Sequence, residues 1–139
     1  MKLSDKIAEI NLLISQESWF DFEILNLKGN NLSIIGSIDF NYYHNFELIF
    51  EDVFHMSINT EWKSDTSEPV LHLVTENEAI ELNKKYQIER GYNLFKIIPE
   101  DSKDNFYVAA KGLQIDNTKV YYYKKQNLGE NEKIAHWVE

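Results

Sequence analysis

The strongest constraint on this chain is an alternation. Between Trp19 and Trp62, apolar and polar side chains exchange at every second residue, with aromatics at many of the apolar positions. Phe20, Phe22 and Ile24 alternate with Asp21 and Glu23. Leu32, Ile34, Gly36, Ile38 and Phe40 face away from Ser33, Ser37 and Asp39. Phe46, Leu48 and Phe50 alternate with Glu47 and Glu51; then Phe54, Met56, Ile58 and Trp62 alternate with His55, Ser57, Asn59 and Glu61. That repeat belongs to pleated strands with one face on a core and one in water, the signature of an antiparallel meander. Lys28-Gly29-Asn30-Asn31 reads as a hairpin turn, because Gly and Asn tolerate positive φ. Val53 and Phe54 are adjacent apolar residues, so Glu51–Val53 is expected to hold a bulge or turn that resets the face.

Other periods flank this block. Leu3, Ile7, Ile10, Leu13 and Ile14 form one apolar stripe, predicting a helix over residues 5–16 with Ser4 or Asp5 as its cap. Val70–Val74 reads as a short buried strand. Thr75-Glu76-Asn77-Glu78 has capping-box form and opens a helix through Ala79, Leu82 and Tyr86, with Gly91 as its stop. Tyr92–Ile98, Asn105–Leu113 and Lys119–Lys124 read as strands, and Glu130–Val138 as a short terminal helix or strand. The expectation is a single α+β domain over residues 1–139. It has an antiparallel meander of roughly six to eight strands, an N-terminal helix and one or two short helices, in one curled sheet or two.

Composition narrows the function. There is no cysteine, which excludes disulfides, thiolate metal sites and cysteine nucleophiles. No apolar run approaches the ~18 residues that span a bilayer, and Met1–Ile7 lacks the form of a signal peptide, so a cytoplasmic location without a membrane partner is expected. The net charge of −9 argues against nucleic acid. It is also uneven: residues 1–70 hold 4 Lys/Arg against 12 Asp/Glu, and residues 71–139 hold 10 against 11. Such a one-sign field suits a basic protein partner, though it also serves solubility.

Enzyme signatures are absent. The glycines at 29, 36, 91, 112 and 129 are scattered, so no phosphate-cradling loop is indicated, and no nucleophile elbow or zinc-helix motif occurs. The imidazoles available as ligands are His44, His55, His72 and His136. His55 and His72 on neighbouring strands, with Glu61 sharing the parity of His55, are the nearest approach to a metal set. Catalytic zinc needs three converging ligands, and no metal or cofactor is expected. Tyr42-Tyr43-His44 falls at a hairpin tip, where aromatics can serve as binding anchors unless one Tyr folds back as a lid on the core. Tyr121-Tyr122-Tyr123 with Lys124-Lys125 resembles an RNA-stacking strand, but a pleat shows only alternate rings on one face. The acidic face is the remaining candidate. Pairing Phe40 opposite Phe46 would set Asp39 across from Glu47, with Glu51 and Glu61 nearby and Asp65 extending the patch. Paired carboxylates suggest a glycosidase, yet these sit on the solvated face rather than in the apolar pocket that acid catalysis needs.

Trp19-Phe20-Asp21-Phe22-Glu23-Ile24-Leu25, leading to Phe46-Glu47-Leu48-Ile49-Phe50 and Val53-Phe54, resembles small bacterial immunity-protein domains of the immunity protein 50 type over residues 18–60. Openings of that type often carry a His-Asp pair; this chain has Phe20-Asp21, so no functional residue is carried over. The resemblance implies a non-enzymatic protein that neutralises a toxin. The sequence reading is therefore a protein-binding domain whose partner surface comprises Asp39, Glu47, Glu51, Glu61, Asp65, Tyr42 and Tyr43. The alternatives are a structural or regulatory interaction domain and an enzyme with an unrecognised site.

Overall fold

The computed structural model describes residues 2–139. The N-terminal helix α1 spans Leu3–Ile14 and buries Ile7, Ile10 and Ile14, the stripe its spacing predicts. Its cap is Lys2, which makes no side-chain capping bond; Ser4 and Asp5 lie inside the first turn. Strands β1 (Trp19–Lys28) and β2 (Asn31–Ser37) form the expected hairpin, turning through Gly29 and Asn30 at φ 59 and 65°. Two-residue turns with both φ positive match the twist of the strands they join.

Beyond Ser37 the register departs from expectation. Strand β2 stops before Ile38, because Ser37 Oγ donates to Tyr43 O (2.7 Å) and accepts from Asp39 N (2.8 Å), turning the chain out of the sheet. The two-residue β3 (Tyr43–His44) follows, then the long β4 (Phe46–Ser57). Phe46 pairs with Gly36 rather than Phe40. A Cβ on Gly36 would lie 2.3 Å from the Phe46 ring, so only glycine admits this packing.

The face reset falls near its expected place. Asp52 adopts φ 54° and ion-pairs with Lys111 (3.4 Å), and a bulge against the partner strand follows between Val53 and His55. Phe50, Val53 and Met56 therefore reach the main core, while Phe54 joins a smaller cluster on the other face.

The run from Phe54 to Trp62 is two strands, not one. Strand β5 (Glu61–Asp65) leaves β4 and pairs with the far side of β1, which breaks the simple meander. Next come β6 (Leu71–Leu73), helix α2 (Glu76–Tyr86), β7 (Asn93–Ile97) and β8 (Phe106–Asp116). The antiparallel sheet runs β5-β1-β2-β4-β8-β7-β6. A second, three-stranded sheet orders β10 (Glu132–Ile134), β9 (Lys119–Tyr121) and β3, with β10 parallel to β9.

The large sheet curls into a half-barrel. Its β5 edge meets the segment after β7 through Glu100 N–H to Lys63 O (2.8 Å) and Ser64 Oγ to Ile98 O (2.7 Å). On the other edge, the Asn11 amide of α1 accepts from Val70 N and Leu71 N and donates to Leu71 O, satisfying a strand edge that would otherwise be open. Inside, Phe20 meets Phe46 at 4.9 Å, Phe22 meets Trp62 at 5.3 Å and Trp62 meets Phe106 at 5.1 Å. Helix α2 covers the outer face near Leu94 and Ala109 through Ala79 and Leu82. Its capping box does not form: Glu78 instead accepts from Tyr107 Oη (2.9 Å) and pairs with Lys96 (3.3 Å). Left-handed Gln87, not Gly91, ends it. Among the described residues, no helix is long and apolar enough to cross a membrane.

Candidate functional site

Register places a row of acids across the outer face of the half-barrel. Glu61 on β5 pairs with Glu23 on β1, Glu23 with Ile35 on β2, Ile35 with Glu47 on β4, and Glu47 with Asp116 on β8. Cross-strand partners share a face, so two pairs in this row set like charges opposite each other, which is unfavourable by roughly a few tenths of a kcal/mol or more. Among the described residues, none of the four acids in the row forms a salt bridge. Lys63, directly across from Asp21, pairs instead with Glu100 at 3.9 Å.

At the β5 end the row opens into a cleft of about 590 Å³. Asp21, Glu23 and Glu61 line one side, and the Ile38–Asn41 loop, with Asp39, lines the other. Burial pushes the Glu23 carboxyl up, and Glu61 and Asp21 push it further. At the other end, Asp116 is held below the usual carboxylate range, chiefly by the Thr118 backbone N–H, with Lys133 and His44 contributing.

The row is covered at its middle, where Ile35 between Glu23 and Glu47 is only 4% exposed, and the small sheet lies beside it. His44 is buried, and its Nδ1 lies 2.6 Å from Tyr122 Oη. Desolvation, then Lys133, lowers the imidazole to about 4. Tyr122 is raised to about 12 by burial and by the charge of Glu23.

The sequence-derived surface is redistributed. Asp39 and Glu61 come together in the cleft, but Asp39 does not face Glu47, because β2 ended four residues earlier in register than that pairing required. Glu47 lies along the row, and Glu51 sits over Gly112 and accepts from Gln114 Nε2 at 3.3 Å. Asp65 lies at the far end of β5, where Ser67 donates to it and lowers its pKa. Tyr42 is 56% exposed, Tyr43 is half-buried in β3, and His44 is the tip residue that folds back. Asp21, Glu23 and Asp116 were missed as site residues. The Phe20–Glu23 alternation already put Asp21 and Glu23 on the outer face, but a wrong strand pairing concealed their neighbours.

The histidines do not converge. His55 on β4 and His72 on β6 are separated by β8 and β7, correcting their placement on neighbouring strands. His55 stacks on Tyr86 at 4.0 Å, and His72 Nε2 lies 3.0 Å from Pro69 O. Among the described residues no group of three or more His, Asp or Glu is arranged to hold a metal. Tyr121 and Tyr123 share one face with Tyr43, while Tyr122 turns toward His44. Comparison with protein-family models, with curated proteins and with solved structures gives no match.

Proposed function

We propose that this protein acts by binding, and that its acidic outer face docks a basic protein, in the manner of an immunity protein that neutralises a basic toxin. The observation that carries this reading is the row Glu61, Glu23, Glu47 and Asp116, without a salt bridge among the described residues and opening into a cleft with Asp21 and Asp39. A fold gains nothing from opposed carboxylates, whereas a basic partner gains on-rate and specificity from them. The concentration of charge in residues 1–70 and the resemblance over residues 18–60 point the same way. The test is affinity capture from the native cell with two baits, wild type and Glu23→Lys/Glu61→Lys. A basic protein retained by the first and lost by the second supports the reading; equal retention of every captured protein contradicts it.

One observation favours a second reading. The Glu23 carboxyl, pushed up by burial and then by Glu61 and Asp21, shares its cleft with three other carboxylates. A carboxyl of raised pKa beside an ordinary one is the pair that acid–base cleavage of a glycoside uses. Release of nitrophenol from nitrophenyl glycosides, abolished in Glu23→Gln, would establish that reading. No turnover across the common sugars would leave the binding reading in place.

A further inference from the structure

We infer that the tyrosine surface beside the acidic cleft is a cation-recognition platform, on which an arginine side chain of the basic partner lies across Tyr42 and Tyr123. The inference rests on the acidic-face reading and names the group recognised. Tyr42 and Tyr123 are 56% and 43% exposed and meet edge to face at 6.2 Å. The bond from Tyr122 N–H to Tyr42 O (2.7 Å) ties the backbones that carry them, so the rings are presented in place. Rigid aromatic area of this kind loses little entropy on binding.

The adjoining rings already hold cations. Lys119 Nζ sits 4.0 Å from the Tyr43 ring centroid and 5.2 Å from that of Tyr121; Lys125 Nζ is 5.1 Å from Tyr121 and 3.5 Å from Glu132. The inner pair is thus occupied by the chain's own lysines. The outer pair, Tyr42 and Tyr123, carries no such cation among the described residues.

Charge continues from the tip into the cleft. Asp39 O accepts from Tyr42 N and Tyr43 N, its carboxylate accepts from Asn41 N (3.1 Å), and Asp39 and Asn41, next to Tyr42, both line the cleft. A planar guanidinium stacks on a tyrosine face while its fork reaches a carboxylate, which an ammonium does less well. Lys124, exposed beside Tyr123, opposes a second cation, as do Lys119 and Lys125 on the adjoining rings.

The probe is a capped hexa-arginine peptide, titrated into the full chain at low salt and followed by NMR and calorimetry. Tyr42 and Tyr123 ring signals should shift, and Tyr42→Ala/Tyr123→Ala should weaken binding about tenfold. The paired Phe variant should retain affinity, and Lys124→Ala should raise it. Unchanged affinity in the Ala variant, with binding abolished by Glu23→Lys/Glu61→Lys, would overturn this inference while the acidic face stands. Unchanged affinity in both variants would overturn the two together. Because both rings are exposed, unaltered circular dichroism is expected for the Ala variant, and Phe retention separates lost recognition from lost fold.

Discussion

At the scale of single residues, Gly36 and His44 decide the most. Gly36 leaves room for the Phe46 ring, and Ala there would meet it at 2.3 Å. Gly36→Ala should cost about 1–3 kcal/mol by overpacking, measured by urea denaturation. His44 gives a pH dependence whose sign follows from its lowered pKa of about 4. Unfolding releases the imidazole to its ordinary value near 6.5, so the unfolded chain binds the extra proton first as pH falls. Its contribution is complete above about pH 6.5 and is lost toward pH 4. His44→Gln should flatten the stability profile across that window; parallel profiles for variant and wild type would refute the role. Sequence alone could not separate His44 from Tyr43. Adjacent residues of a hairpin tip look alike until β3 pairs with β9 and sends one side chain inward.

At the scale of elements, strand existence was legible and strand partnership was not. Alternation marks a strand from its own residues, but pairing β5 with β1 rather than β4 depends on residues about forty apart in sequence. Asn11 shows the same limit. Nothing in the α1 stripe of Leu3, Ile7, Ile10, Leu13 and Ile14 singles it out, yet it makes three bonds to the β6 edge. Asn11→Ala should destabilise by about 1–3 kcal/mol and deprotect the Val70 and Leu71 amides in hydrogen exchange. Helix α2 predicts the opposite sign. Gln87 ends it at φ 52°, a conformation that costs a side-chain-bearing residue but not glycine. Gln87→Gly should therefore stabilise by about 0.5–1 kcal/mol in thermal denaturation. The capping-box motif misled because Glu78 finds better partners in Tyr107 and Lys96 than in its own helix start.

At the scale of the whole molecule, a curled sheet lines up carboxylates that separate segments contribute. The acidic candidate was legible in part: charge counting found Glu47 and Glu61, while assembling the row with Glu23 and Asp116 needed the register of five strands. The row should hold stability and binding in tension. Glu61→Gln removes one of two opposed charges, so it should leave the fold as stable or slightly more so while weakening attraction for a basic partner. The measurement that bears most directly on the central claim is the association rate with the basic partner retained by wild type and lost by Glu23→Lys/Glu61→Lys. Raising salt from about 10 mM to about 1 M shortens the Debye length from roughly 30 to 3 Å. The on-rate should fall steeply across that range while the dissociation rate changes little, with Glu61→Gln reducing the slope. An on-rate indifferent to salt, or a slope unchanged in Glu61→Gln, would contradict the central claim.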